Sequence, residues 1–380
     1  MTITASKILK NSKRLIIKIG SALVVNSANG QPQLDWLETL ADDIAILKSR
    51  NIEVCLVSSG AIGLGRASMG ISFNVPSKSI ELEKKQAAAS IGQIRLCQIY
   101  QDIFKSRNIG VGQILLSPAD TENRKTHLNA RAAMNELLKS GILPVINEND
   151  TTATEEIRFG DNDRLAARVA QMIAADTLLI LSTTDGLYTD DPRINSDAKH
   201  IPFVESLTAD TMALAKDALA GLSTGGMKSK IESARIAVNA GTNVIIARGM
   251  DKNPIQPLVS DQAICTVIVA KGNPASARKK WIQAHVKTKG RIMIDEGAAN
   301  ALRNGKSLLP AGIRQADGVF DTGDAVQIFD LQLNELGIGL PKYDSDEILK
   351  IMGRKSSEIS DILGYAGHDE FIHRDDLALH

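Results

Sequence analysis

Short apolar, β-branched runs alternate with longer helical patterns from about Arg14 to Ala270, and this alternation constrains the fold more than any other feature of the chain. The runs at 15–19, 53–57, 112–116, 143–146, 177–181, 243–247 and 265–269 read as strands. Between them, residues 34–48, 84–104, 130–138, 164–173 and 227–240 repeat apolar positions at helical spacing. Strands that are apolar throughout need cover on both faces. The expected class is therefore α/β, a mainly parallel sheet sandwiched by helices. Open sheets of this kind bind ligands at the carboxyl ends of their strands.

The pattern changes at Lys271-Gly272-Asn273-Pro274-Ala275-Ser276-Ala277-Arg278, a stretch of linker composition. Beyond it come short strand-like pieces (291–294, 325–329), frequent glycines and few long helical periods. We expect an α/β domain over 1–270, a linker over 271–278, a small β-rich domain over 279–367 and a polar tail over 368–380. The 380 residues are enough for two cores, and the 43% hydrophobic and 23% charged fractions suit a soluble globular protein. A formal net charge of zero gives no global attraction to nucleic acid or anionic lipid. Cys55, Cys97 and Cys265 lie far apart in apolar patterns, which reads as buried thiols in a reducing compartment. No apolar run is long enough to span a bilayer, and MTITASKILKNSKR lacks the core of a secretory leader, so the cytoplasm is the expected location.

Several polar motifs fall at expected strand ends. The run Ile142-Leu143-Pro144-Val145-Ile146 leads into the turn-forming Asn147-Glu148-Asn149-Asp150, and Gly160-Asp161-Asn162-Asp163 opens the next helical pattern. The first strand carries Lys18 inside an apolar run, with Gly20 and Ser21 following. An ammonium there is costly unless it meets an anion, although a snorkelling lysine at a strand end fits the same letters. Val57-Ser58-Ser59-Gly60-Ala61-Ile62-Gly63-Leu64-Gly65 can form an anion-binding turn of backbone N–H groups, or an ordinary tight turn. Its GxxGxG spacing is not the dinucleotide fingerprint. Gly221-Leu222-Ser223-Thr224-Gly225-Gly226-Met227-Lys228-Ser229-Lys230 is not a Walker loop, because no lysine directly follows the second glycine of that pattern. It places two lysines at a helix start, where a bound polyphosphate would offset their unfavourable position and a mobile loop is the plain alternative. Ser182-Thr183-Thr184-Asp185 follows another strand, as a nucleoside contact or a surface turn.

Taken together, these sites supply lysines and glycine-lined N–H clusters for phosphates. Asp161 and Asp163 can ligate Mg²⁺ or orient the lysines. Phosphoryl transfer needs mainly positioning and charge neutralisation. No histidine accompanies the motifs, and His127 reads as a surface helix residue. An acceptor that is already anionic, a carboxylate, needs no protein base.

The motifs IIKIGSALV, VSSGAIGLG, AAASIGQIRL, VINENDTTATEEIRFGDND, GLYTDDPR and GLSTGGMKSK, in this order, resemble the glutamate 5-kinase branch of the amino acid kinase family. The C-terminal part resembles a PUA domain, a fold also found in RNA-modifying enzymes. The resemblance implies ATP-dependent phosphorylation of the L-glutamate side-chain carboxylate with Mg²⁺, opening proline biosynthesis. It implies that Lys18 and Lys230 are catalytic and that Asp161 orients them. Ser59, Asp150 and Asn162 would hold L-glutamate. Lys18, Ser182, Thr183, Thr224, Gly225, Gly226, Met227, Lys228, Ser229 and Lys230 would contact ATP. Direct protein ligation of a metal is not expected, with Asp163 as the one candidate. The resemblance further implies inhibition by proline, a homodimer or homotetramer, and hand-off of product to the next enzyme of the pathway.

The rival reading is an RNA-binding or RNA-modifying protein. From Ala275 onward there are 14 Lys and Arg against 16 Asp and Glu, so this part lacks the basic excess on which RNA affinity rests.

Overall fold

The computed structural model describes residues 3–152, 162–213, 226–285 and 288–380. The chain divides into two compact units, Met1–Pro274 and Ala275–His380.

The first unit is built on strands β1 (Arg14–Ile19), β2 (Glu53–Val57), β3 (Val111–Leu116), β4 (Leu143–Glu148) and β5 (Thr177–Ser182). The two-residue strands β6 (Leu187–Tyr188), β7 (His200–Ile201) and β8 (Phe203–Val204) follow, then β9 (Asn243–Arg248) and β10 (Cys265–Ile268). Eight of them form one sheet in the order β3-β4-β2-β1-β5-β9-β10-β8. Every neighbouring pair is parallel except β9 and β10. The seven expected strands are all present, and the class is the mainly parallel α/β sheet expected.

Alternation along β1 explains the layers. Leu15, Ile17 and Ile19 enter one hydrophobic cluster while Ile16 enters another, and all four are fully buried. Successive side chains of a strand point to opposite faces. Lys18 therefore shares the face of Ile16, which is covered by the helices Asn162–Met172 and Met227–Asn239. The chain leaves β1 for β2, fills that side of the sheet, then returns to β5 on the other side. This reversal opens the crevice at the carboxyl ends of β1, β2 and β5.

The helices Ala61–Ser68 and Leu82–Lys105 meet backbone to backbone. A Cβ on Gly92 would lie 1.7 Å from the Ala61 carbonyl oxygen, and one on Gly65 would lie 1.8 Å from that of Ala88. Gly92→Ala must push two helices apart, and we expect a loss of at least about 3 kcal/mol. Gly110, where a Cβ would meet only an Ile142 side chain at 3.5 Å, should tolerate alanine within about 0.5 kcal/mol. Urea denaturation of both variants checks the contrast, and equal midpoints would count against it.

The second unit has its own sheet, β12-β11-β13-β14-β15, made of β11 (Thr288–Ile294), β12 (Ile313–Gly318), β13 (Ala325–Phe329), β14 (Glu335–Gly339) and β15 (Leu377–Leu379). Two expectations need correction. Pro274–His285 is a helix, so the linker composition of 271–278 gives way at Pro274, where proline suits a helix's first position. The expected tail is structural: β15 pairs antiparallel with β14, and Phe371, Ile372, Leu377 and Ala378 are buried. These apolar pairs are too short, among Asp and His, to stand out as a periodic pattern.

Candidate active site

Lys18 near the end of β1 and Lys230 in the first turn of Met227–Asn239 are both almost fully buried. Their ammonium groups share one carboxylate. Lys18 Nζ lies 2.6 Å from Asp163 Oδ1, and Lys230 Nζ donates to Asp163 Oδ2 at 3.0 Å. Asp163 is wholly buried, the second residue of Asn162–Met172. Burial alone would raise its pKa, but the charges of Lys18 and then Lys230 outweigh it and hold the carboxyl below its usual range. Desolvation lowers the Lys230 pKa, with Asp163 acting against it.

One carboxylate between two ammonium groups leaves a net positive charge in a dry place. Two glycine-opened helical turns adjoin it, Gly20 before Ser21–Val24 and Gly226 before Met227–Asn239, and a third, Gly60 before Ala61–Ser68, follows the Ser58–Ser59 pair that meets Asn162; none of these glycines gives a side-chain cap. A Cβ on Gly20 would sit 3.9 Å from Lys18 Nζ. Gly60 has φ of +108°, a conformation that an L side chain strains to adopt. Helix starts that open on glycine and lie beside buried lysines suit phosphate oxygens.

Next to Asp163, the Asn162 amide ties three elements together. Its Nδ2 lies within donating distance of Ser58 O (3.0 Å), Ser59 Oγ (2.7 Å) and Asn147 Oδ1 (3.0 Å). Asn147 Nδ2 donates to Gln93 Oε1 at 2.7 Å. Three residues past Asn147, Asp150 opens the turn Asp150–Thr152, which packs on the Leu82–Lys105 helix. Desolvation pushes Asp150 up to about 6. Among the described residues no cation is paired with this carboxylate.

The crevice thus gathers Lys18, Lys230, Ser59 and Asn162, and Asp150 follows the end of β4, the strand that carries Asn147. Ser182 ends β5, one strand from Lys18, with Thr183 exposed after it. Gly226 and Met227 are half-buried at the helix start, with Lys228 exposed and Ser229 half-buried after them. Asp161, Thr224 and Gly225 lie outside the described residues. The carboxylate that orients the lysines in this geometry is Asp163. As a metal ligand it does not fit, because each of its oxygens faces an ammonium. Among the described residues no group of three or more His, Cys, Asp and Glu is arranged for a metal ion. Asn147 and Gln93 were assigned no role from the sequence, although both lie in the motifs quoted above.

Comparison with known proteins agrees with this geometry. Residues 13–248 match the amino acid kinase family and residues 290–363 the PUA domain. A relative from Paramagnetospirillum magneticum called glutamate 5-kinase is 50% identical over 371 residues, spanning 98% of this chain and 99% of its own. A glutamate 5-kinase from Gluconobacter oxydans is 49% identical over 371 residues, spanning 98% of this chain and 97% of its own. The chain belongs to the amino acid kinase family, in the PUA-bearing branch of these relatives.

Proposed function

We propose that this chain transfers the γ-phosphoryl group of ATP to the side-chain carboxylate of L-glutamate, forming L-glutamyl 5-phosphate and ADP, the opening step of proline synthesis. The observation that carries the reading is the buried Lys18–Asp163–Lys230 arrangement, tied through Asn162 to the turn that bears Asp150. A carboxylate oxygen of glutamate attacks the γ-phosphorus, and the bond from that phosphorus to the β,γ-bridging oxygen breaks. ADP leaves with the bonding pair. No proton moves, which agrees with a site built from lysines and amides.

Lys18 and Lys230 neutralise the equatorial oxygens of the moving group, in surroundings dry enough to make each charge effective. Asp163 fixes both ammonium groups in position. Asp150 takes the α-ammonium of glutamate, which supplies the missing counter-charge, while Ser59 and Asn162 complete the pocket. Ser182, Thr183 and the 224–230 loop hold the nucleotide. Mg²⁺ bound to ATP would neutralise phosphate charge, and Asp163 would not ligate it, since both of its oxygens face the lysines. Proline, a cyclic relative of glutamate, competes at the same pocket. Ile91 and Ile94, 42% and 74% exposed one helical turn apart, support a homo-oligomer. No helix among the described residues is long and apolar enough to cross a membrane, which accords with a cytoplasmic enzyme.

The test is ADP release with a panel of amino acids in the presence of hydroxylamine, which traps an acyl phosphate as the hydroxamate. L-Glutamate alone should give ATP-dependent hydroxamate. ADP release without hydroxamate would point to an acceptor other than a carboxylate.

A further inference from the structure

We propose that Gln93, buried on the Leu82–Lys105 helix, is a positioning residue that holds the Asn147 amide in place and, through it, steadies the Asn162 amide against the amino-acid substrate. The inference rests on the functional reading above and adds a residue from the helix behind the site.

The argument turns on the two ends of an amide chain. At one end stands the Glu148 backbone N–H, which can only donate. The Asn147 side-chain atom 2.9 Å from it must therefore be the oxygen. Asn147's nitrogen then points the other way, and the Gln93 atom 2.7 Å from it must be an acceptor, Oε1. At the far end stands the Ser58 carbonyl, which can only accept, so the Asn162 atom 3.0 Å from it is the nitrogen. That nitrogen also faces Asn147 Oδ1 at 3.0 Å, so both fixed ends demand the same orientation of each amide. The other end of the Gln93 amide, Nε2, is buried without a hydrogen-bond partner of ordinary geometry, with the Cys97 thiol, a weak acceptor, near it.

Two atoms of this amide chain are left over, Gln93 Nε2 at one end and Asn162 Oδ1 at the other, and only the second lies beside Ser59 in the pocket. Asn162 Oδ1 is buried and has no hydrogen-bond partner among the described residues. An unpaired buried acceptor is costly, and a polar site keeps one where a ligand supplies the donor. In the pocket proposed for glutamate, the α-ammonium is such a donor. An Asn162 turned the other way would offer it an NH₂ group, donor against donor.

Gln93 is held in place by its neighbour Gly92, whose missing Cβ lets the helix approach the Ala61 carbonyl. Removing the Gln93 acceptor leaves the Asn147 NH₂ buried and unpaired. Asn147 then turns away to find water, and Asn162 loses the neighbour that fixes it.

The test compares Gln93→Leu with Gln93→Glu in the full-length enzyme, by the hydroxamate assay. Gln93→Leu should raise the glutamate KM about tenfold with the ATP KM nearly unchanged. Gln93→Glu, which keeps an acceptor oxygen whether ionised or protonated, should recover most of the affinity. Thermal melting of both variants separates positioning from loss of fold. A glutamate KM for Gln93→Leu equal to that of the unsubstituted enzyme would overturn the inference. So would equal increases for glutamate and ATP, or no recovery in a folded Gln93→Glu. Absence of glutamate-dependent hydroxamate in the unsubstituted enzyme would instead overturn the functional reading.

Discussion

Lys18→Ala and Lys230→Ala should each lower kcat by about 10²–10³-fold or more, the range for removing one preorganised electrostatic contact to a developing charge. Both ammonium groups already sit at Asp163, 2.6 and 3.0 Å away, so neither must reorganise when the phosphoryl group moves. Substituting arginine should not restore the rate, because a planar fork cannot occupy the place of a compact ammonium. The effects should be far from additive, since each alanine also leaves Asp163 with a single cationic partner in a dry site. Single-turnover transfer at saturating substrates, on variants shown to be folded, is the measurement. Near-normal turnover in both would remove the phosphate cradle from the mechanism.

The ionisations also set the pH response. The Asp163 pKa is depressed, so the triad's contribution to stability is present above the unfolded carboxyl pKa and is lost as pH falls through the folded value. On the alkaline side, desolvation lowers Lys230, so kcat should begin to fall at a lower pH than a free lysine would dictate.

For Asp150→Ala we expect a rise of about 10²-fold or more in glutamate KM, with ATP KM within about twofold. Truncating one member of a desolvated charge pair costs about 2–5 kcal/mol, and each 1.4 kcal/mol is tenfold. Because Asp150 in the empty enzyme is pushed up to about 6 by burial, it is neutral at lower pH and cannot pair with an ammonium. Glutamate KM should therefore climb about tenfold per pH unit below about 6, and Asp150→Asn should flatten this limb. The sign for stability is opposite. The folded state holds this proton more tightly than the unfolded state, so the empty protein loses stability as pH rises from the unfolded value to about 6. Asp150→Asn should thus stabilise the empty enzyme at neutral pH while weakening substrate binding. A glutamate KM unaffected by either substitution would remove Asp150 from the acceptor pocket.

Much of the architecture was legible because its signals are local. Each strand of the large sheet is a short apolar run bounded by turn residues, and the helices repeat at their own period. The tail was misread because Phe371-Ile372 and Leu377-Ala378 only make sense against β14 and the second core. Within the site, Gly-Asp-Asn-Asp offered two acids of the same chemistry. Among the described residues Asp163 is the one that meets both lysines, because of the side of the helix start that faces the sheet. Gln93 was invisible for a similar reason. A glutamine in an amphipathic helix looks like surface, and only the contact at Gly92 turns it inward.

By itself the sequence determined the alternating α/β architecture, the glycine-rich turns and the residue types available at the strand ends, since periodicity and turn chemistry act between near neighbours. Only the tertiary structure decided that Lys18, Asp163 and Lys230, drawn from three separate elements, share one buried point. Their meeting depends on strand order and on the face of β1 from which Lys18 projects, and those are fixed by packing across the whole sheet.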